Sequence, residues 1–566
     1  MAFALHKIPS FLLKNTLWLE KKQTSIISAA LIITLANLTS SASGLIRERL
    51  LIGSYFGSTD GQQAYEALQL AFQVPDMLFQ LIILGALSAA YIPVFTKYRD
   101  KNESEAFRIT STVMNALLLL FVIVSGVVFV YAPQITEART GGMFSAQQIA
   151  IAARLTQLML LAQLFFAISN FLTGILQSYQ RFIVPAIAPI MYNLGIVLGV
   201  YLFGESLGIY AAGVGVILGA FIHMLIQLPF VLRLGFRYSP ILNLRHPGVM
   251  EIFRMIPPRV MTVGISELQN LALAFFATSI GNLSFVAMRL ALKLMAIPIR
   301  LFGVPISQAS LPFLSQESDD SKREQFKVLV TQSINQIMFL SMPASALLLI
   351  LRVPLVRLVF GAENFPWGTT VMTSRVLAII ALSIGLQAVS QLLVRAFYAL
   401  KDSATPFLVI AGSAATYFLF SWISVFLLKT NITGVAWATL ISAVCEMGLF
   451  MILLERKVNK LILNKDFLVS QFKIIACAFL MAVFLYLPFK ILDELIFDTS
   501  RTVELIGLTV TTGTIGSLVY LYFSILFEVK ELNFFLSAFA KFGKWRKPLA
   551  QSEEVIIDTG SDRNDI

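Results

Sequence analysis

Charge is scarce in this sequence. Asp, Glu, Lys and Arg make up 13% of its 566 residues, about half the share of an ordinary soluble domain. Cysteine is scarcer, with Cys445 and Cys477 alone. Both fall inside apolar runs, so a disulfide is not expected, and two thiols are too few for a metal centre. The three histidines, His6, His223 and His246, lie far apart. No nucleophile–base pairing, glycine-rich phosphate loop or zinc spacing occurs. These absences argue against an enzyme and against any bound cofactor or metal.

Apolar residues are abundant: 57% of the chain is hydrophobic and the mean hydropathy is +0.79. Runs of about 20 residues, long enough to cross a bilayer, recur near 24–44, 66–96, 108–132, 150–178, 183–204, 207–234, 252–281 and 285–316. Six more lie near 327–351, 372–400, 405–428, 432–455, 467–491 and 503–528. The expected class is an all-α polytopic membrane protein of about 14 spans. A formal net charge of +11 would suggest nucleic acid in a soluble protein. Here the cations cluster at 97–108, 233–259, 456–473 and 530–547, all on the side that holds both termini. That asymmetry orients helices and predicts cytoplasmic termini, with no nucleic-acid partner. Over 1–23, Lys7, Lys14, Lys21 and Lys22 alternate with Phe11, Leu12, Trp18 and Leu19. This reads as an interfacial amphipathic segment; a signal peptide ending near Ser40-Ser41-Ala42 is the alternative. The tail, 529–566, is expected to be cytoplasmic, and disordered beyond Pro548, where Glu553, Glu554, Asp558, Asp562 and Asp565 dominate.

The chain resembles itself. Ala89-Ala90-Tyr91-Ile92-Pro93-Val94-Phe95-Thr96 matches Gln308-Ala309-Ser310-Leu311-Pro312-Phe313-Leu314-Ser315. The stretch from Gly174 to Pro185 matches that from Arg395 to Pro406. The two pairs are separated by nearly the same interval, and a shared offset points to duplication. The unit holds six spans, an even number, so the two copies enter the membrane in the same sense. The expectation is a first lobe over 24–234 and a second over 252–455, related by a pseudo-twofold along the membrane normal, with a cavity between them. Two added helices would fill 467–528.

Ionisable residues inside spans are costly and mark function. The eighth span holds Arg289, Lys293 and Arg300, whose spacing puts them on one helical face. No acid occurs between Glu267 and Glu317 to pair with them locally. They could snorkel to the interfaces, or bind an anion such as a phosphate. The second span carries Gln69, Gln73, Asp76 and Gln80 on one face, beside Pro75 and Pro93. These could line a site or bond between helices. The first span ends in Arg47-Glu48-Arg49. Arg47 could reach the cavity or pair with Glu48. Pro298 and Pro305 suggest a kinked, mobile eighth helix.

With these residues on view, the sequence resembles the lipid II flippases (the MurJ/MviN family). Matching stretches are Gly44-Leu45-Ile46-Arg47-Glu48 with Phe56-Gly57, Val74-Pro75-Asp76-Met77-Leu78 through Leu84-Gly85-Ala86-Leu87-Ser88 to Ile92-Pro93-Val94-Phe95, and Ser178-Tyr179-Gln180-Arg181-Phe182 with Val184-Pro185-Ala186. Further on come Leu301-Phe302-Gly303-Val304 with Leu311-Pro312, and Phe397-Tyr398-Ala399-Leu400-Lys401-Asp402 with Thr405-Pro406. The resemblance covers roughly 24–460 and implies the two-lobe fold of the multidrug/oligosaccharidyl-lipid/polysaccharide exporter superfamily. It also implies transfer of an undecaprenyl-pyrophosphate-linked peptidoglycan precursor from the cytoplasmic to the outer leaflet of the inner membrane. Residue by residue, Arg47 matches the family's first-helix arginine and Glu48 its acid. Ser41 stands where a second arginine is found, Phe79 and Gln80 where two arginines follow the helix-2 proline, and Leu84 where an acid precedes the glycine. In Leu292-Lys293-Leu294-Met295-Ala296-Ile297-Pro298 only the cation, Lys293, keeps the family's eighth-helix pattern.

The implied mechanism is alternating access. Arg47, Lys293, Arg289 and Arg300 hold the pyrophosphate, with Asp76, Gln73 and Gln80 in the same cavity, while the lipid tail stays in the bilayer. The implied partners are lipid II, membrane lipids, a coupling ion and the cell-wall synthesis machinery, with the chain itself a monomer. Rival readings are a flippase for another polyprenyl-pyrophosphate-linked saccharide, a drug exporter, and a non-transporting cell-wall scaffold. A basic cavity argues against export of cationic drugs.

Overall fold

The computed structural model describes residues 26–84, 91–281, 283–317, 323–362, 364–458, 465–497 and 501–532. The segment 1–23 and the acidic end of the tail lie outside these residues.

Among the described residues the regular secondary structure is entirely helical. In chain order the long helices are α1 (Ile26–Tyr55), α2 (Thr59–Leu84), α3 (Glu103–Val130), α4 (Ala146–Ser178), α5 (Ile183–Leu207), α6 (Tyr210–Arg233) and α7 (Pro247–Ile280). They continue as α8 (284–316), α9 (Arg323–Ile350), α10 (Trp367–Ala381 then Ile384–Ala399, bent by 48°), α11 (Ala404–Leu427), α12 (Ile432–Val458), α13 (Lys465–Ile496) and α14 (Thr502–Leu526). Short helices Ile92–Arg99, Ala132–Arg139 and Arg352–Phe360 connect them. Among the described residues, eleven are long and apolar enough to cross a membrane, or twelve with α10 counted as one bent span. α1 and α8 fall outside that count, so among the described residues the apolar spans number fewer than the expected fourteen. Large apolar side chains face outward along α3 (Leu119, Val122, Ile123) and α13 (Phe479, Val483, Phe484). Water would not tolerate such bands, and lipid does.

The duplication is visible in the backbone. α2 closes in a π-helical turn at Gln80–Leu84, and another at Ile299–Gly303 interrupts α8 at the matching place in the second copy. α4 and α10 end alike. Gln180 and Lys401 both take a left-handed conformation, at φ 59° and 57°. Arg181 N donates to Leu176 O at 2.9 Å, and Asp402 N to Phe397 O at 2.9 Å. The bond from the residue after the left-handed position back across the helix end is a Schellman closure. Gly208 and Lys429, separated by the same interval as Gln180 and Lys401, have φ 53° and 48°. In the second copy Asp402 also caps α11, accepting from Thr405 N at 3.0 Å and meeting Lys457 Nζ at 2.5 Å. Burial alone would raise its carboxyl. Lys457 and Thr405 outweigh that and hold it down at about 2.

The principal seam between the helices up to α6 and those from α8 on runs along α1. There α1 meets the Arg352–Phe360 helix, and the first part of α2 meets the first part of α8. Arg49 donates to Leu358 O at 2.5 Å, Asn364 to Gly53 O at 3.3 Å, and Phe56 packs on Phe365. α7 packs on both sets. Its start is tied to the first set by Lys97–Glu251 at 2.9 Å and His246–Glu105 at 3.1 Å.

Candidate functional site

The seam carries a buried polar network with Glu48 at its centre. Glu48 is 1% exposed. Its Oε1 accepts from the Tyr65 hydroxyl and, at 2.6 Å, from Gln69. Its Oε2 meets Arg47 at 3.2 Å and Lys293 Nζ at 2.7 Å. Four donors saturate one carboxylate, which offsets its desolvation. Lys293 also donates to Gln69 Oε1 at 3.3 Å. Arg47 reaches the other way, donating to Asn193 Oδ1 on α5 at 3.0 Å. The Asn193 amide returns to α1 through Ser43 Oγ at 2.9 Å. One cluster thus draws on α1, α2, α5 and α8.

A second layer lies beside it. Arg139, from the short helix before α4, donates to Gln73. Gln163 on α4 donates to Asp76 Oδ1 at 2.7 Å. Asn270 donates to Glu267 Oε2 at 3.4 Å. Arg289 is half-buried and acts through space on Asp76, Glu267, Arg139 and Lys293. Its Nε is buried without a hydrogen-bond partner, as are Arg47 Nε, Arg139 Nε and Gln73 Nε2. The two layers therefore assemble Arg47, Arg139, Arg289 and Lys293 against Glu48, Asp76 and Glu267, with four nitrogens unused. Buried donors without acceptors are costly. An anion with many oxygens would satisfy them.

Of the residues expected to form a site, Arg47, Lys293, Arg289, Asp76 and Gln73 come together. Arg300 does not join them: it is exposed, inside the π-turn Ile299–Gly303. A π-turn shifts the helical register, so spacing counted along a regular helix no longer fixes the face. Gln80 begins the matching π-turn of α2, and its side chain forms no hydrogen bond among the described residues. The missing local acid for Lys293 is Glu48, contributed by another helix. Asn193, Gln163, Tyr65 and Arg139 were not expected. Asn193 carried a signal, being a lone amide in an apolar helix one turn after Pro189. A groove of about 650 Å³ between α3 and α4 is apolar and lined by residues outside this network, among them Val122, Phe129 and Leu161.

Comparison with known proteins bears on what the arrangement serves. A family model described as lipid II flippase MurJ matches residues 52–506. A curated relative, the lipid II flippase MurJ of Burkholderia cenocepacia, is 26% identical over 396 residues, covering 69% of this chain and 76% of its own. Among solved structures, a lipid II flippase MurJ in an inward closed conformation aligns with TM-score 0.70 at 20% identity, over 88% of this chain and 99% of that one. An inward-facing multidrug resistance MATE family transporter of the MOP superfamily aligns with TM-score 0.59 at 13% identity, over 76% of this chain and 96% of that one. At these identities the two structures speak for the fold alone.

Proposed function

The chain belongs to the lipid II flippase MurJ family, and we propose that it moves lipid II from the cytoplasmic to the outer leaflet of the bacterial inner membrane by alternating access. The observation that carries this reading is the shared carboxylate. Lys293 and Arg47 both lean on Glu48, across the seam between α1 and α8. A pyrophosphate offers more acceptor oxygens and more charge than one carboxylate. Entering between Arg47, Lys293, Arg289 and Arg139, it competes with Glu48 for the cations and occupies the unused nitrogens. Guanidinium groups bind such oxygens in pairs. Substrate binding therefore weakens the α1–α8 ion pair that helps hold the seam closed. A ligand can shift the two access states only by the difference in its affinity for them, and exchange of Lys293 from Glu48 to pyrophosphate is such a difference. Asp76 and Gln73 hold Gln163 and Arg139 in place around the headgroup. Arg300 and Gln80 would meet substrate only after the π-turns rearrange.

Two six-helix lobes, 24–234 and 252–455, rock about the seam, with α13 and α14 appended and both termini cytoplasmic. The undecaprenyl tail remains in the bilayer. The chain works as a monomer and as a transporter without catalytic chemistry, alongside the cell-wall synthesis machinery. Ser41, Phe79, Gln80 and Leu84, standing where the family carries charges, keep a second reading: a flippase for another polyprenyl-pyrophosphate-linked saccharide.

The test is complementation of a conditional flippase depletion by the wild type and by Lys293→Ala. Wild type rescues and the variant, expressed at the same level, does not. Rescue by both moves the anion site off α8. Failure of a well-expressed wild type sends the substrate to another lipid-linked saccharide or the chain to a scaffold role, and in a scaffold the charge variants would be silent.

A further inference from the structure

The middle of α12 carries a carboxyl that the seam network does not use. Glu446 sits near the centre of the helix, whose other charged residues fall in its last turn. Ser413 Oγ on α11 donates to its Oε2 at 2.8 Å. Ser442, one turn earlier on α12, donates to Ser413 O at 2.8 Å and fixes the two helices in that register. Ser390 on α10, 3% exposed, lies near the same carboxyl, with its buried hydroxyl left without a hydrogen-bond partner. Three helices thus bring a carboxyl and two hydroxyls to one point at membrane depth.

Among the described residues no cation faces it. The elements packed against α12 carry Glu251, Arg254 and Glu267 on α7, Arg289, Lys293 and Arg300 on α8, Arg375, Arg395 and Tyr398 on α10 and Tyr417 on α11, and Cys445 is its chain neighbour. None of them acts on Glu446, whose polar neighbours are the two serines. An ionised carboxylate in such a place is strongly disfavoured. The acid form is not. It accepts from Ser413 and carries a hydrogen that the unpartnered Ser390 oxygen can take.

We propose that Glu446 is a proton-binding site, holding its proton between α10, α11 and α12 and releasing it when those helices part and admit water. On release the acid O–H bond breaks, the proton passes to water and the carboxylate stays behind; uptake reverses this. Its role in transport rests on the flippase reading: uptake from one side and release to the other would reset the cycle without a nucleotide.

Infrared difference spectroscopy on the purified full chain reads the proton directly. A protonated-carboxyl band persists through neutral pH in the wild type and is missing in Glu446→Gln, which keeps an acceptor for Ser413 and the fold. Ser390→Ala shifts that band. A band unchanged in Glu446→Gln overturns the site. In liposomes carrying fluorescent lipid II, an imposed pH gradient speeds wild-type transfer and leaves Glu446→Gln indifferent. A variant that responds like the wild type overturns the coupling. If the wild type moves no lipid II while the Glu446-dependent band is present, the flippase reading falls and the proton site stands.

Discussion

At the scale of single residues, Glu48 is the group on which most depends. It is 1% exposed and shared by Arg47 and Lys293. Replacing it by Gln leaves two cations facing one another, and removing one partner of a buried ion pair costs about 3–5 kcal/mol. Lys293→Met removes a cation and leaves Glu48 with Arg47, a smaller loss. The double variant should be more stable than the sum of the two predicts, by about 1–3 kcal/mol. Thermal unfolding in detergent of the wild type, both single variants and the double variant measures this. Strict additivity would mean that Glu48 and Lys293 do not interact. The cations themselves were legible in the sequence, because charge inside an apolar run is conspicuous. Their partner was not. Periodicity along α8 shows which residues share a face, and says nothing about which helix that face meets. Glu48 could only be read as a neighbour of Arg47, and the pairing with Lys293 exists because α1 and α8 cross at the seam.

At the scale of elements, the duplication was legible from two short motifs at nearly one offset, and the backbone repeats it in π-turns and left-handed closures at that same spacing. One tightly packed helix pair was harder to see. Gly195 and Gly199 on α5 face Gly219 and Gly215 on α6, and a Cβ at either α5 position would overlap the partner's backbone. Small residues four apart let membrane helices approach this closely. In a sequence with 32 glycines, four of them do not stand out. Their function is indirect: α5 carries Asn193, which holds Arg47. Gly199→Leu should therefore destabilise the protein by about 1–3 kcal/mol, the usual cost of overpacking, and also impair complementation. Gly204→Leu is the control, because nothing lies within 4 Å of a Cβ there. Equal effects in thermal unfolding from the two substitutions would remove the packing argument.

At the scale of the whole molecule, alternating access requires that the seam along α1 come apart. Its contacts are few for a permanent interface: Arg49 to Leu358 O, Asn364 to Gly53 O, Phe56 against Phe365, and Lys293 to Glu48 and Gln69. Three of these four need no charge pair, so they hold the closed state without binding energy from substrate, and the fourth is the one that pyrophosphate would compete for. A covalent link across the seam separates a moving contact from a fixed one. A Cβ at Gly53 would lie 3.4 Å from the Ala362 Cβ, close to the spacing of about 3.5–4.5 Å that a disulfide spans. In a chain whose own thiols, Cys445 and Cys477, are replaced by serine and alanine, the pair Gly53→Cys and Ala362→Cys should cross-link on mild oxidation. The linked protein should fail to transfer lipid II in liposomes and recover when reduced, while each single cysteine stays active under both conditions. Undiminished transfer by a fully cross-linked protein would mean that this seam stays shut through the cycle. The halves would then have to part elsewhere, and the exchange of Lys293 between Glu48 and pyrophosphate could not be what opens them.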